Sequence, residues 1–213
     1  MLFRSDGVGV SLRHDVTPLT TLVLRTEVQR DRFRFSPERD ADSVRVTPGV
    51  EFRAFALISG EGFVGFRKYD ALGPGVPDYR GLVASVDLAY ASRATGSTRL
   101  ALQVNRDVAY SYDRAVPYYL TTGVRPTITQ RVTARWDLQG SGDIQWLNYD
   151  PDGVAPSGSR ETERALIYGG SAGFHFASGL RMGLNIERYA RQSREADRRT
   201  RGVRIGIGFT YGT

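Results

Sequence analysis

Apolar side chains recur at every second position along much of this 213-residue chain. Between residues 180 and 187, for example, large apolar residues alternate with polar residues or glycine, in the order Leu-Arg-Met-Gly-Leu-Asn-Ile-Glu. A period of two places one kind of side chain on each face of a β-strand. No stretch keeps the i, i+3, i+4, i+7 spacing of an amphipathic helix. The pattern therefore predicts an all-β chain.

Eleven antiparallel strands are predicted, and their connections alternate in length. The strands are 5–15, 20–32, 43–56, 60–70, 81–91, 98–111, 117–129, 134–148, 163–176, 180–190 and 201–212. Tight connections at 17–19, 57–59, 92–97, 130–133 and 177–179 alternate with long polar ones at 33–42, 71–80, 150–162 and 191–200, and the link at 112–116 is intermediate. A charged helix over 187–201 is a less favoured alternative to the last loop. The alternation is typical of up-and-down outer-membrane barrels, which have short periplasmic turns and long external loops.

Strand length and aromatic positions favour a transmembrane barrel over a soluble β-sandwich or β-barrel, the alternative that alternation alone leaves open. The predicted strands exceed the length of about five or six residues that is usual in soluble proteins, and match a tilted crossing of a bilayer. With the short turns in the periplasm, aromatic residues form two girdles around an aliphatic band. The periplasmic girdle contains Phe52, Tyr90, Trp136, Phe174, Phe209 and Tyr211, and the external girdle contains Phe66, Tyr110, Tyr118, Trp146 and Tyr168.

Composition excludes several other classes of protein. No run of about 18 apolar residues is present, so a helical membrane protein is excluded. The chain has no cysteine, which excludes disulfides, thiolate metal sites and a cysteine nucleophile. Two histidines that lie far apart offer little for a metal site, and we expect no metal or cofactor. The net charge of +6 is spread along the chain, so nucleic-acid binding is not expected.

The strand count predicts an incomplete barrel. Bacterial barrels have even strand numbers with both termini in the periplasm, and an open edge in lipid costs several kcal/mol per unpaired backbone group. Residues 1–4 also do not resemble the start of a signal peptide. We therefore expect residues 1–213 to form one barrel domain that is the C-terminal part of a larger, even-stranded barrel.

Several segments resemble the β-barrel porins of bacterial outer membranes, a family that includes proteins encoded beside exopolysaccharide and capsule genes. The resemblance is clearest over residues 60–135, and the segments that carry it are 64–72, 74–88, 106–112, 117–120 and 127–131. It implies an outer-membrane barrel with a part in polysaccharide export. The implied partners are outer-membrane lipid and lipopolysaccharide, and polysaccharide or its export machinery. Members of the family are normally longer and carry a signal sequence.

If the apolar positions face lipid, the alternate positions line an aqueous interior. These predicted interior residues are Arg25, Glu27, Arg45, Glu51, Arg53, Arg67, Asp87, Arg99, Gln103, Asn105, Asp107, Arg125, Arg135, Asp137, Asp143, Arg181, Asn185, Glu187 and Arg204. Nine arginines and seven carboxylates give this set a charge of about +2, a weak preference for anions. The favoured function is passive passage of polar solutes. The alternative is a non-conducting structural or partner-binding barrel with an ion-paired interior.

Catalysis is not expected. His175 lies on the predicted interior face, and Ser171 is on the same strand about 13 Å away at 3.3 Å per residue, too far for direct activation. His14 lies near a turn and has no candidate partner. We therefore predict that the protein is not an enzyme.

Two connections carry further hypotheses. The segment 71–80 could fold into the lumen as a constriction, although an ordinary external loop is favoured. The basic group near the last loop could contact lipopolysaccharide phosphates, although solvated charge is favoured. This group consists of Arg191, Arg194, Arg198, Arg199 and Arg201.

Overall fold

The computed structural model describes residues 3–53, 57–92, 97–111, 116–149, 162–176, 179–193 and 198–211. These residues form one sheet of eleven strands, in which each strand is hydrogen-bonded to the next along the chain. Every pairing is antiparallel. The strands are β1 (Phe3–Thr17), β2 (Thr20–Phe33), β3 (Ala41–Phe52), β4 (Ile58–Ala71), β5 (Tyr79–Ala91), β6 (Thr98–Tyr110), β7 (Tyr118–Arg131), β8 (Trp136–Asn148), β9 (Glu163–His175), β10 (Leu180–Gln192) and β11 (Thr200–Tyr211).

The all-β, up-and-down architecture that the sequence predicts is confirmed. Most predicted strand bounds agree to within two residues, and residues 54–56 of the predicted third strand lie outside the described residues. The alternative of a helix over 187–201 is wrong, because β10 continues as a strand to Gln192. Pro37–Arg39 forms a 3-10 turn. None of the described residues belongs to a helix long and apolar enough to cross a membrane.

The alternation of short and long connections is also confirmed. From the strand bounds, one end of the sheet carries connections of 2, 5, 6, 4 and 4 residues, and the other carries connections of 7, 7, 7, 14 and 7 residues. We call these the short-connection end and the long-connection end. The two ends therefore differ in the way that the sequence predicts.

The register keeps each kind of side chain on one face of the sheet. Odd-numbered residues share one face from β1 to β10, and even-numbered residues continue it in β11, because Glu187 pairs with Arg204. We call this the inner face. The opposite, outer face carries the aliphatic residues: Leu184, for example, pairs with Ala172 and Ile207, and is 57 % exposed. A shift of one residue would exchange the two faces, so the hydrophobic pattern fixes the register.

The sheet is curled, with its inner face concave. Side chains on strands that are not neighbours meet across this face: Arg13 of β1 contacts Glu51 of β3, and Arg181 of β10 contacts Asp137 of β8. Within the described residues the sheet is not closed, since β1 and β11 are its two edges. The right-handed twist of strands produces this curvature, and a barrel is its closed form.

The predicted aromatic girdles are correct only in part. Seven of the eleven predicted residues are exposed on the outer face, as a lipid-facing girdle requires: Phe66, Tyr90, Trp136, Trp146, Tyr168, Phe209 and Tyr211. The prediction is wrong for two others. Tyr118 is buried and Tyr110 packs against the same buried cluster, because β6 separates from β5 beyond Arg106 and turns inward together with the end of β7.

Candidate functional site

The concave inner face is the candidate site, and it carries the predicted interior residues. All of those that lie on strands are on this face, as the register shows. Arg53 and Arg135 lie instead in two short connections, between β3 and β4 and between β7 and β8. Whether these residues line a pore stays a prediction. Sequence reasoning missed Arg13 and Glu61, although the same odd parity would have found both.

Ion pairs bind neighbouring strands together over β1 to β4. Arg25 donates to Glu51 at 2.9 Å and to Glu61 at 3.0 Å, so one guanidinium joins three strands. Arg13 adds a second cation to Glu51. The Arg25 guanidinium also lies 3.7 Å from the centre of the Phe63 ring. This part of the inner face is therefore ordered by charge pairing, which holds the side chains against the wall.

A second charged cluster lies at the short-connection end of β8, β9 and β10. Arg181 donates from Nε to Oδ2 of Asp137 at 2.8 Å, and Nε2 of His175 lies 2.6 Å from the same oxygen. Gly173 of the intervening strand makes room, because a Cβ there would lie 2.3 Å from the Arg181 guanidinium. The Ser171 hydroxyl contacts Gln139 at 3.4 Å. His175 thus sits in an ion-pair cluster with Asp137 and Arg181.

A third cluster, at the long-connection end, contains the buried Glu163. This carboxylate accepts hydrogen bonds from Arg191 at 2.8 Å and from Ser193 at 2.9 Å, and Arg198 lies 3.6 Å away. Burial, followed by the Glu163 charge, raises the pKa of the neighbouring Tyr149 above its usual value.

These contacts bear on the predicted basic group near the last loop. Arg191 and Arg198 are held by Glu163, and Arg199 donates to the Ser193 carbonyl at 2.6 Å. Arg194 lies outside the described residues. Contact with lipopolysaccharide therefore stays a prediction for this group.

A polar groove of about 590 Å³ runs over the inner face of β6 to β11. The side chains that line it are Arg99, Ala101, Gln103, Arg125, Thr127, Thr129, Gln139, Ser141, Asp143, Ile167, Glu187 and Arg204. Register partners form rows across the strands, and one row consists of Arg99, Thr129, Gln139, Ser171 and Asn185. The lining offers hydroxyl, amide and guanidinium groups, which can replace part of the hydration shell of a polar solute.

The charges in this groove are largely paired. Arg125 donates to Asp143 at 3.2 Å, and Arg204 lies 3.9 Å from Glu187. Arg99 forms no ion pair with any residue that the structure describes. The groove therefore carries three arginines against two carboxylates, an excess of one positive charge.

The distal ends of β6 and β7, Asp107–Tyr110 and Tyr118–Thr121, lie inside the curled sheet, and we call them the inner hairpin. The pairing of β5 with β6 stops at Ala84 and Arg106, whereas β6 and β7 stay paired to Tyr110 and Tyr118. The inner hairpin also stays paired with β8 as far as Leu120 and Asn148, so the wall opens only between β5 and β6. The Tyr118 ring lies 4.9 Å from the ring of Tyr69 on the inner face of β4. The even-numbered side chains of the inner hairpin, which point outward in the rest of β6 and β7, therefore cover the inner face of β4 and β5.

The connection 71–80, which the sequence offered as a constriction, lies against neighbouring connections. The Leu72 amide donates to the Asp40 carbonyl at 2.8 Å, and Pro77 accepts a hydrogen bond from Tyr118 at 2.6 Å. Val76 also packs against the buried cluster that includes Tyr118, so whether this connection narrows the lumen stays a prediction. The inner hairpin is the element that enters the interior.

A curled antiparallel sheet with an apolar outer face and a polar inner face is the architecture of a membrane β-barrel. A family model described as "Putative beta-barrel porin 2" matches residues 6–211. The chain therefore belongs to this family, which indicates a porin-like barrel of an outer membrane. None of the curated proteins matches the chain. The family confirms the resemblance to β-barrel porins, and the association with exopolysaccharide and capsule genes stays a prediction.

Proposed function

We propose that the protein forms a water-filled channel through the bacterial outer membrane, for the passive passage of polar solutes. One observation carries this proposal: the inner face of β6 to β11 is an open groove lined by hydroxyl, amide and guanidinium groups. An interior that served only to stabilise the fold would be expected to fill this space with packed or paired side chains. The family supports the barrel, and the groove supports its use as a passage.

The chemistry of the groove favours small, hydroxylated solutes that are neutral or weakly anionic. Paired charges do not select strongly by sign, and the excess of one arginine gives only a small preference for anions. Threonine, serine and glutamine side chains both donate and accept hydrogen bonds, as sugar hydroxyls do. Assistance to exopolysaccharide export, in contact with lipopolysaccharide or the export machinery, is the more specific form of this proposal.

The second candidate is a non-conducting barrel that serves as a structural or partner-binding element. The inner hairpin favours it, because it fills the interior over β2 to β5 with packed side chains. The two candidates differ in whether the groove over β6 to β11 connects both sides of the membrane. Conductance distinguishes them.

The complete protein, reconstituted in planar bilayers, is expected to give stepwise currents with a slight preference for anions. Arg99→Glu is expected to reverse that preference to a slight one for cations, since it changes the charge of the groove from +1 to −1. Arg164→Glu is the matched control, because Arg164 is an exposed residue outside the groove. The measurement is the reversal potential in a salt gradient, followed by swelling of vesicles in oligosaccharides of increasing size.

Two outcomes would contradict the channel. A folded, inserted protein that gives no current would favour the structural barrel. Equal shifts of the reversal potential for Arg99→Glu and Arg164→Glu would mean that the current does not pass the groove.

A further inference from the structure

The departure of the inner hairpin from the wall is compensated by specific contacts. Where the β5–β6 ladder ends, the Leu82 carbonyl accepts hydrogen bonds from the Tyr79 hydroxyl at 2.8 Å and from Nε of Arg106 at 3.1 Å. The Arg106 guanidinium also donates to the Thr122 hydroxyl at 2.8 Å. Side chains thus replace the strand partner of a backbone group that would otherwise be unsatisfied. The break in the ladder is a built feature of the fold.

Asp107 fixes the base of the inner hairpin to the opposite wall. Its carboxylate accepts from Arg67 of β4 at 2.7 Å and contacts Arg45 of β3 at 2.9 Å. Arg67 is 5 % exposed and donates also to Ser43 at 3.0 Å. Without Asp107, two closely spaced guanidiniums would lose a shared counter-charge in a largely buried site. Asp107 is therefore the main electrostatic anchor of the inner hairpin.

The end of the inner hairpin is anchored by two tyrosines. The Tyr110 hydroxyl donates to the buried carboxylate of Asp31 at 2.6 Å, and its ring lies 4.8 Å from Phe33 of β2. Tyr118 donates to the Pro77 carbonyl at 2.6 Å.

Apolar packing completes the attachment of the inner hairpin. Leu120 belongs to one buried cluster with Ala41, Tyr79 and Val83 of the inner face, and Val83 is 2 % exposed. The inner hairpin thus crosses the interior from β5 to β2, and it is held by charge, hydrogen bonds and apolar contacts together.

We propose that the inner hairpin sets the size of the solutes that the channel admits, and that Asp107 is the residue that holds it in place. This inference rests on the proposed channel function. The inner hairpin occupies the space over β2 to β5 and leaves the groove over β6 to β11 as the passage. Its release would join the two parts of the interior into one wider lumen.

The first experiment is the conductance of Asp107→Asn in planar bilayers. This variant keeps the shape of the side chain and removes the charge that Arg45 and Arg67 share. We expect the single-channel conductance to rise about twofold, and oligosaccharides that the parent protein excludes to pass. Asp42→Asn is the matched control, because Asp42 is also a carboxylate paired with an arginine, Arg32 at 2.7 Å, but lies on the outer face of β3. The control is expected to conduct as the parent does.

The second experiment reads the position of the inner hairpin directly. The chain has no cysteine, so Phe33→Cys with Tyr110→Cys gives one unique pair for a short, reducible bifunctional thiol reagent. Cross-linking is expected to be efficient in the parent background. In the Asp107→Asn background, the cross-link is expected to return the conductance to the parent value, and reduction is expected to raise it again.

The outcomes separate this inference from the channel function. A parent protein that conducts, together with unchanged conductance and size limit in Asp107→Asn, overturns the role of the inner hairpin alone. Failure of the Phe33–Tyr110 pair to cross-link in the parent overturns the placement of the inner hairpin, whether or not Asp107→Asn folds. Silence of both the parent and Asp107→Asn, with the cross-link formed, overturns the channel function and this inference with it.

Discussion

Replacement of Leu184 by arginine is expected to lower the free energy of unfolding in a lipid bilayer by about 2–4 kcal/mol. Leu184 lies in the middle of β10 on the outer face, between Ala172 and Ile207 of the neighbouring strands. On the proposed placement its side chain contacts hydrocarbon at the depth where a guanidinium is most costly. A soluble protein with the same exposed position would tolerate this change, since water solvates an exposed arginine.

The matched control is Asn185→Arg, one residue further along the same strand. Asn185 lies on the inner face, so its arginine variant is expected to unfold with nearly the free energy of the parent. Denaturant titration in vesicles, followed by the fluorescence of Trp136 and Trp146, measures both. Equal losses for the two variants, or a larger loss for Asn185→Arg, would contradict the assignment of the faces.

Removal of the Asp137 carboxylate is expected to have the second-largest effect, a loss of about 2–3 kcal/mol for Asp137→Ala. The side chain is buried, and its removal leaves Arg181 without its counter-charge and His175 without its acceptor. The value lies at or below the low end of the roughly 3–5 kcal/mol usual for a broken buried ion pair, because Arg181 is 20 % exposed and water screens part of the charge.

A double-mutant cycle checks this explanation. Asp137→Ala with Arg181→Ala is expected to cost at least about 1 kcal/mol less than the sum of the single changes, because the unpaired cation is gone. Asp6→Ala is the control, since Asp6 forms an exposed ion pair with Arg4, and we expect no measurable loss. Additive effects at Asp137 and Arg181 would show that their contact does not stabilise the barrel.

The sequence was sufficient for the strands because their pattern is local. In β10, each alternate residue is large and apolar from Leu180 to Ile186, and this pattern alone determines the face of every side chain. The faces then determine the register, and the register brings residues such as Glu187 and Arg204 together. The residues of the inner face could therefore be identified from the alternation along each strand, without knowing which strands pair.

The inner hairpin could not be predicted in this way, because long-range contacts fix it. Alternation continues without a break through the end of β6, so Tyr110 and Tyr118 were assigned to the outer face. Asp107 binds arginines that lie 40 and 62 residues earlier in the chain, and nothing local marks them as its partners. The adjacent tyrosines at 118 and 119 were the available signal of this departure, because successive residues place an aromatic ring on each face of β7. A strand with one face toward water is not expected to carry large aromatic rings on both faces.

The Asp137 cluster shows the same limit on a smaller scale. Asp137 and Arg181 lie on strands that are separated by β9, and they meet only because Gly173 leaves the intervening position open. Each residue was assigned to the correct face. Their contact, however, spans two strand spacings and depends on a glycine in the strand between them, which a rule for pairs on neighbouring strands does not predict. Parity therefore predicts which face a residue occupies and does not predict its partner.

Spin labels placed singly at residues 181 to 187, in a chain without native cysteine, test most directly whether the outer face touches lipid and the inner face touches water. In vesicles, labels at 182, 184 and 186 are expected to collide mainly with oxygen, which concentrates in hydrocarbon. Labels at 181, 183, 185 and 187 are expected to collide mainly with a water-soluble nickel complex. A profile without this alternation, or with the opposite phase, would contradict the membrane barrel.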